Sequence, residues 1–86
     1  MTRINIAIPI FAFIKSGGMR VITNMANEWV KIGHFVEFIV TNETQPYFPT
    51  KAQITRIRAE SKRDKLFELI KYLNENYEKY DAIIVS

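Results

Sequence analysis

Ile4-Asn5-Ile6-Ala7-Ile8-Pro9-Ile10, then Lys15-Ser16-Gly17-Gly18-Met19-Arg20, is the stretch that decides the fold. The first run is nearly continuous in apolar residues, the pattern of a strand covered on both faces. A helix-period segment from Met19 to Ile32 follows the two glycines. Strand, glycine turn and helix is the plan of a phosphate-binding βα unit. Residues without side chains let the backbone turn sharply and let a ligand approach its N–H groups. A helix start leaves its first N–H groups unpaired and carries partial positive charge. Lys15 and Arg20 flank the same spot, although the helix dipole opposes a cation in the first turn. A bound anion would account for Arg20. Gly-Gly ahead of a helix is also an ordinary loop, and this turn lacks the fixed spacing of the stronger phosphate motifs.

Working outward, Arg3 to Ile8 reads as the first strand. Pro9 lacks an N–H, so sheet pairing is expected to stop there. Phe11, Ala12, Phe13 and Ile14 fall in a loop. Loop phenylalanines either tuck back onto the domain or are covered by something else, and tucking back is the favoured reading. In the helix, Val21, Met25, Trp29 and Ile32 form one stripe with Ile22, Ala26 and Val30 beside it. Trp29 and Met25 are therefore read as core. Gly33 sits where a left-handed cap is wanted. His34 follows at the head of the next strand, a structural place at the sheet end opposite the glycine turn.

Phe35 to Thr41 reads as the second strand, apolar apart from Glu37. Strand, helix and strand within about forty residues make a βαβ unit, so the two strands are parallel and their connection right-handed. Asn42 to Gln53, with Pro46 and Pro49, is a loop leaving from the carboxyl edge, where open α/β sheets bind ligands. Glu43 stands where dinucleotide enzymes place a ribose-binding acid, and is read instead as a solvated loop charge. Ile54 to Ala59 is short, carries Arg56 and Arg58, and reads as an edge strand. Ser61, with Asp64 three residues on, resembles a capping box. It opens a helix from Lys62 to Tyr77 whose inward face is Leu66, Leu69, Ile70, Leu73 and Tyr77. The Lys62-Arg63-Asp64-Lys65 cluster is a solvated helix start. Asp81 to Ser86 is the fourth strand.

The expected fold is thus α/β: a Rossmann-like parallel sheet, partial, in the order 3-2-1-4, with helices on both faces. In that order the apolar run Ala82 to Val85 would form an exposed edge, which natural domains avoid. Residues 1–86 are therefore expected to be the first part of the amino-terminal domain of a longer protein.

Composition excludes several classes. The 86 residues suffice for one small domain, and a hydrophobic content of 48% can build a core. There is no cysteine for a disulfide or thiolate site, and the single histidine, His34, rules out a multi-histidine metal site. A net charge of +3 from well-mixed acids and bases gives no expectation of a nucleic-acid partner. Residues 4 to 14 are too few to span a membrane, and no small-residue cleavage site follows them. The Gly-x-Gly-x-x-Gly dinucleotide fingerprint and the Gly-x-x-x-x-Gly-Lys-Ser/Thr triphosphatase loop are absent. A phospho-receiver domain needs acids at the tip of its first strand, where Ile8-Pro9-Ile10 stands.

Gly17-Gly18-Met19-Arg20-Val21, Ala26, and then Gly33-His34-Phe35-Val36 resemble the amino-terminal domain of group 1 glycosyltransferases, also called glycosyltransferase family 4. Chains of that family open with an apolar strand ending near proline. They continue with Gly-Gly-x-x-Arg-Val, a mid-helix alanine, and Gly-His ahead of a second strand. Lys15-Ser16-Gly17-Gly18 also resembles the Lys-Thr-Gly-Gly turn of bacterial glycogen and starch synthases, which share the fold. The resemblance covers residues 3 to 42, is weak from 43 to 80, and returns faintly at Tyr80-Asp81-Ala82-Ile83.

The resemblance implies the two-domain glycosyltransferase B fold. It implies transfer of a sugar from a nucleotide-sugar donor to a carbohydrate or lipid-linked acceptor, usually with retained configuration and without metal or cofactor. Gly17 and Gly18 match the glycine turn that lies against the donor diphosphate. Lys15 matches the synthases' phosphate-contacting lysine, which many family members lack. Arg20 matches the family pattern, which gives it no clear role, and Ser16 lies within the matched turn. Lys15, Ser16, Gly17, Gly18 and Arg20 are the expected substrate-binding residues, with no catalytic and no metal-ligating residue. The family's carboxy-terminal domain, with its Glu-x7-Glu motif and most donor contacts, has no counterpart here, so this stretch alone is not expected to catalyse transfer. The acceptor is expected near the Phe11–Ile14 and Asn42–Gln53 loops. The implied location is the cytoplasm, with peripheral contact at the inner membrane face left open by lipid-linked acceptors. The alternative, from another class, is a small non-enzymatic α/β module that binds a phosphorylated ligand or a protein partner.

Overall fold

The computed structural model describes residues 3–10, 12–41, 44–46, 48–59 and 61–85, with the backbone alone at Lys62. The elements in order are β1 (Asn5–Ile10), α1 (Gly17–Lys31), β2 (Phe35–Val40), β3 (Gln53–Arg56), α2 (Lys62–Asn76) and β4 (Ala82–Ile83). A single 3₁₀ turn, Tyr77–Lys79, precedes β4. Every pairing is parallel and the sheet order is β3-β2-β1-β4. This is the α/β, Rossmann-like order expected from the sequence, with β3 at an edge. The readings made at Phe11 and Glu43 lie outside the described residues.

Alternation along the strands sends side chains into two layers. Ile6, Ile8 and Ile10 of β1 and Val36, Phe38 and Val40 of β2 pack with Met19, Ile22 and Ala26 of α1. Ala7 of β1 and Ile39 of β2 face the other way and pack with Leu69 of α2, with Tyr72, Leu73 and Tyr80 around them. One helix on each face is why both central strands read as apolar runs.

The helix seams depart from the expected stripes. On α1 the buried residues are Met19, Ile22, Thr23 and Ala26. Val21 is 59% exposed, and Met25 and Ile32 are exposed as well. Trp29 packs against the core, so the core reading holds for Trp29 and fails for Met25. Ala26, wholly buried, is small enough to let the helix sit close to the sheet. Thr23 enters the seam by donating its hydroxyl to the Met19 carbonyl at 2.7 Å, which satisfies a polar group that would otherwise be costly to bury. On α2, Leu69 and Leu73 face inward as expected, but Leu66, Ile70 and Tyr77 are exposed. Tyr72 takes an inward place, because the sheet beneath it presents the carboxylate of Glu37.

Pro9 corrects another expectation. It lies inside β1, opposite Ile39 of β2, and pairing with β2 continues through Ile10. In a strand of a parallel sheet, alternate residues direct their N–H and C=O to opposite neighbours. The Asn5 and Ala7 carbonyls accept from the Asp81 and Ile84 N–H groups on the β4 side, and Pro9 points the same way. The next rung would need a Pro9 N–H on the Ile84 carbonyl, and proline has none. Pairing therefore stops at Pro9 on the β4 side only. β4 pairs over Ala82–Ile83 instead of the longer run expected.

Local signals otherwise behave as their chemistry requires. Gly33 has φ +103°, the left-handed cap of α1. His34 Nδ1 accepts from the Ile4 N–H at 3.2 Å, a structural role. Ser61 Oγ accepts from the Asp64 N–H at 3.2 Å and opens α2. No helix among the described residues is long and apolar enough to cross a membrane.

Candidate functional site

At the carboxyl edge of the sheet, β1 runs into the glycine stretch and β2 into the loop that leads to β3. Side chains anchor both connections. The Phe13 N–H donates to Thr44 Oγ1 at 2.9 Å. Its ring is buried and meets Phe38 edge-on, 5.4 Å between centroids. Phe13 thus tucks back onto its own domain, and Ile14 stays exposed. Arg56, ending β3, donates to the Thr44 carbonyl at 2.9 Å. Asn27 of α1 donates to the Pro49 carbonyl at 2.8 Å and accepts from the Thr50 hydroxyl and the Lys51 N–H at 3.0 Å each.

Ser16 is the N-cap of α1. Its backbone is extended, its Oγ accepts from the Met19 N–H at 3.1 Å, and its carbonyl accepts from the Arg20 N–H at 3.0 Å. Gly17 and Gly18 are the first two helical residues and are exposed. Their N–H groups have no hydrogen-bond partner among the described residues. Neither has a positive φ, which corrects the expected sharp glycine turn: the change of direction is made before the helix, at extended Ser16. A Cβ at either glycine would meet nothing within 4 Å. The chain's own packing therefore does not demand glycine at these positions. The missing side chains leave open access to two N–H groups at the positive end of a 15-residue helix.

The charges around this point are uneven. The first turn of α1 holds no acidic residue, whereas that of α2 holds Asp64. Lys15 and Arg20 are exposed, and neither is paired with a carboxylate among the described residues. Lys15, Gly17, Gly18 and Arg20 are thus brought together on one solvent-facing, positive helix start. Ser16 differs from them, because its oxygen is engaged as the cap and only its hydroxyl proton is left to reach outward. The arrangement can hold an anion. Among the described residues no three of His, Asp and Glu are grouped to hold a metal ion.

A second cluster was not singled out by the sequence reading. Glu37 is 3% exposed. Its Oε1 accepts from the Thr55 hydroxyl at 3.0 Å and the Tyr72 hydroxyl at 3.4 Å. The Tyr80 hydroxyl lies 2.9 Å from both carboxylate oxygens. Burial first, then the neighbouring Tyr72 and Glu37, holds the Tyr80 hydroxyl far above the usual phenol range. The available signal was a lone acid inside an apolar strand, since a buried carboxylate must find donors elsewhere in the chain.

The chain matches no family model, no curated protein and no solved structure.

Proposed function

We propose that this chain is part of a glycosyltransferase that moves a sugar from a nucleotide-sugar donor to an acceptor, with the start of α1 receiving the donor diphosphate. One observation carries the reading: two N–H groups without a hydrogen-bond partner among the described residues, those of exposed Gly17 and Gly18, lie between Lys15 and Arg20 in the chain. A departing nucleoside diphosphate gains negative charge as its bond to the sugar breaks. Preorganised N–H groups and cations at that place stabilise the transition state more than the ground state. The reading also gives a reason for glycine where packing would accept alanine. The acceptor, a carbohydrate or a lipid-linked sugar, approaches from the same edge, beside Ile14 and the loop from Thr44 to Ala52. A second domain supplies the remaining donor contacts. The reading goes with a cytoplasmic location, and a lipid-linked acceptor would bring the reaction to the inner membrane face.

The test uses the full-length protein. Lys15→Ala and Gly18→Val are assayed for transfer from a labelled nucleotide-sugar. Loss of a preorganised donor lowers turnover by about 10²- to 10³-fold. Wild-type rates in both variants sink the assignment. Saturable binding of nucleoside diphosphate without any transfer favours a phosphorylated-ligand module instead.

A further inference from the structure

At the amino ends of the strands, on the α2 face, a groove of about 460 Å³ opens above Glu37. It lies at the opposite edge of the sheet from the glycine stretch. Its volume falls in the range of small-molecule sites, roughly 300–1,000 Å³. Its lining includes Arg3, Phe35, Gln53, Lys79 and Tyr80. We infer that this groove binds a small phosphorylated polyol or sugar, with the phosphate at Arg3 and Lys79 and a ligand hydroxyl on Glu37.

The two cations supply the first half of the case. The Arg3 guanidinium lies 5.6 Å from the centroid of the Phe35 ring, and the Lys79 ammonium lies 5.9 Å from that of Tyr80. Neither is paired with a carboxylate among the described residues. The ring contacts orient these side chains without neutralising them. Two oriented, uncompensated cations on one groove suit a phosphate, which accepts several charge-assisted hydrogen bonds at once.

Glu37 supplies the second half. Thr55 and Tyr72 donate to its Oε1. The one proton of the Tyr80 hydroxyl is shared between Oε1 and Oε2, and Oε2 has no other donor among the described residues. A carboxylate oxygen accepts about two hydrogen bonds, so Oε2 keeps room for a further donor. A bare phosphate gains nothing there and is repelled by the carboxylate charge. A ligand that carries a hydroxyl a few atoms from its phosphate satisfies both ends, and the amide of Gln53 offers it another partner. The groove thus selects for the pair of groups rather than for the anion alone.

The experiment follows backbone amide shifts of the ¹⁵N-labelled chain on titration with ribose 5-phosphate, ribose and inorganic phosphate. Saturable shifts at Phe35, Gln53 and Tyr80 are expected with ribose 5-phosphate, at an affinity about tenfold above that for inorganic phosphate. Arg3→Ala and Lys79→Ala, both at exposed positions, each weaken that binding by about fivefold or more. Equal affinity for inorganic phosphate, or variants that bind as the wild type does, overturns the inference. So do shifts confined to Gly17 and Gly18, an outcome that leaves the diphosphate reading of the glycine stretch standing.

Discussion

The Tyr80 hydroxyl lies 2.9 Å from each carboxylate oxygen of Glu37, joining the segment ahead of β4 to the interior of β2 across 43 residues of sequence. The bond matters because β4 is short. Its ladder with β1 spans only Ala82 and Ile83. Around it the Asp81 N–H donates to the Asn5 carbonyl at 2.8 Å, the Asp81 carboxylate accepts from the Asn5 N–H at 2.7 Å, the Asn5 side chain donates to the Lys79 carbonyl at 3.1 Å, and Ala82 and Ile84 pack against the core. Tyr80→Phe removes a hydrogen bond to a charged acceptor and leaves Glu37 with Thr55 and Tyr72. The expected cost is about 1.5–3 kcal/mol in urea unfolding. Tyr77→Phe, at an exposed ring, serves as the control and shifts stability by about 0.5 kcal/mol or less. Equal stability of Tyr80→Phe and wild type would show that the bond contributes nothing net.

The same hydroxyl gives the fold a pH dependence at its alkaline limit. Burial, Tyr72 and Glu37 raise the Tyr80 pKa in the folded chain, against about 10 when unfolded. Below pH about 10 both states hold the proton, and this group adds no slope. Above it the unfolded chain releases a proton that the folded chain retains. Stability therefore falls as pH rises, by at most about 1.4 kcal/mol per unit from this group. Urea melts between about pH 9 and 11 should show the decline in the wild type and a smaller one in Tyr80→Phe. Parallel pH curves for the two proteins would contradict it.

Pro9 sets the length of β4, so replacing it should lengthen the ladder. In Pro9→Ala the new N–H faces the Ile84 carbonyl, the position of the missing rung. The gain from one backbone hydrogen bond, about 0.5–1.5 kcal/mol, is offset by about 0.4–1 kcal/mol of restored freedom in the unfolded chain. Net stability should hardly move. Hydrogen exchange is the sensitive measurement: the amide of residue 9 should be protected to the level of Ala7. An unprotected amide at residue 9 would show that something other than the missing donor ends β4.

These bonds also show which parts of the molecule can be read from the chain. The sheet order was legible because Ile4 to Ile10 and Phe35 to Val40 are nearly continuous apolar runs, interrupted only at Asn5 and Glu37 and separated by one helix. Only parallel strands covered on both faces suit that pattern. The helix seams were not legible, because α1 carries apolar residues on more than one side. What selected Met19, Ile22, Thr23 and Ala26 over Val21 and Met25 was close approach through Ala26 and the internal bond of Thr23. Both depend on the sheet beneath. The helix was legible from Met19 onward, but its start was not: the sequence suggests a glycine turn, whereas Gly17 and Gly18 are already helical and Ser16 is the extended cap. Glu37 could be seen to be out of place in an apolar strand. Its partners Thr55, Tyr72 and Tyr80 lie 18, 35 and 43 residues away, beyond any local pattern.

Gly17 and Gly18 yield the prediction that separates stability from function. Alanine at either position meets no atom within 4 Å and needs no unusual φ. It also removes conformational freedom from the unfolded chain and improves helix propensity. Gly17→Ala and Gly18→Ala should each raise stability, by up to about 1 kcal/mol. For a domain of this size that is a rise of a few degrees, up to about 8 °C, in Tm. Binding of nucleoside diphosphate should move the other way, because each methyl group crowds the approach to the N–H groups of the helix start. Such opposition marks residues kept for a ligand against the interest of the fold. Calorimetry on the variants and a diphosphate titration decide the matter together. A stabilised variant that binds diphosphate as tightly as wild type removes the ligand from this helix start. A destabilised variant instead contradicts the open space found around the glycines.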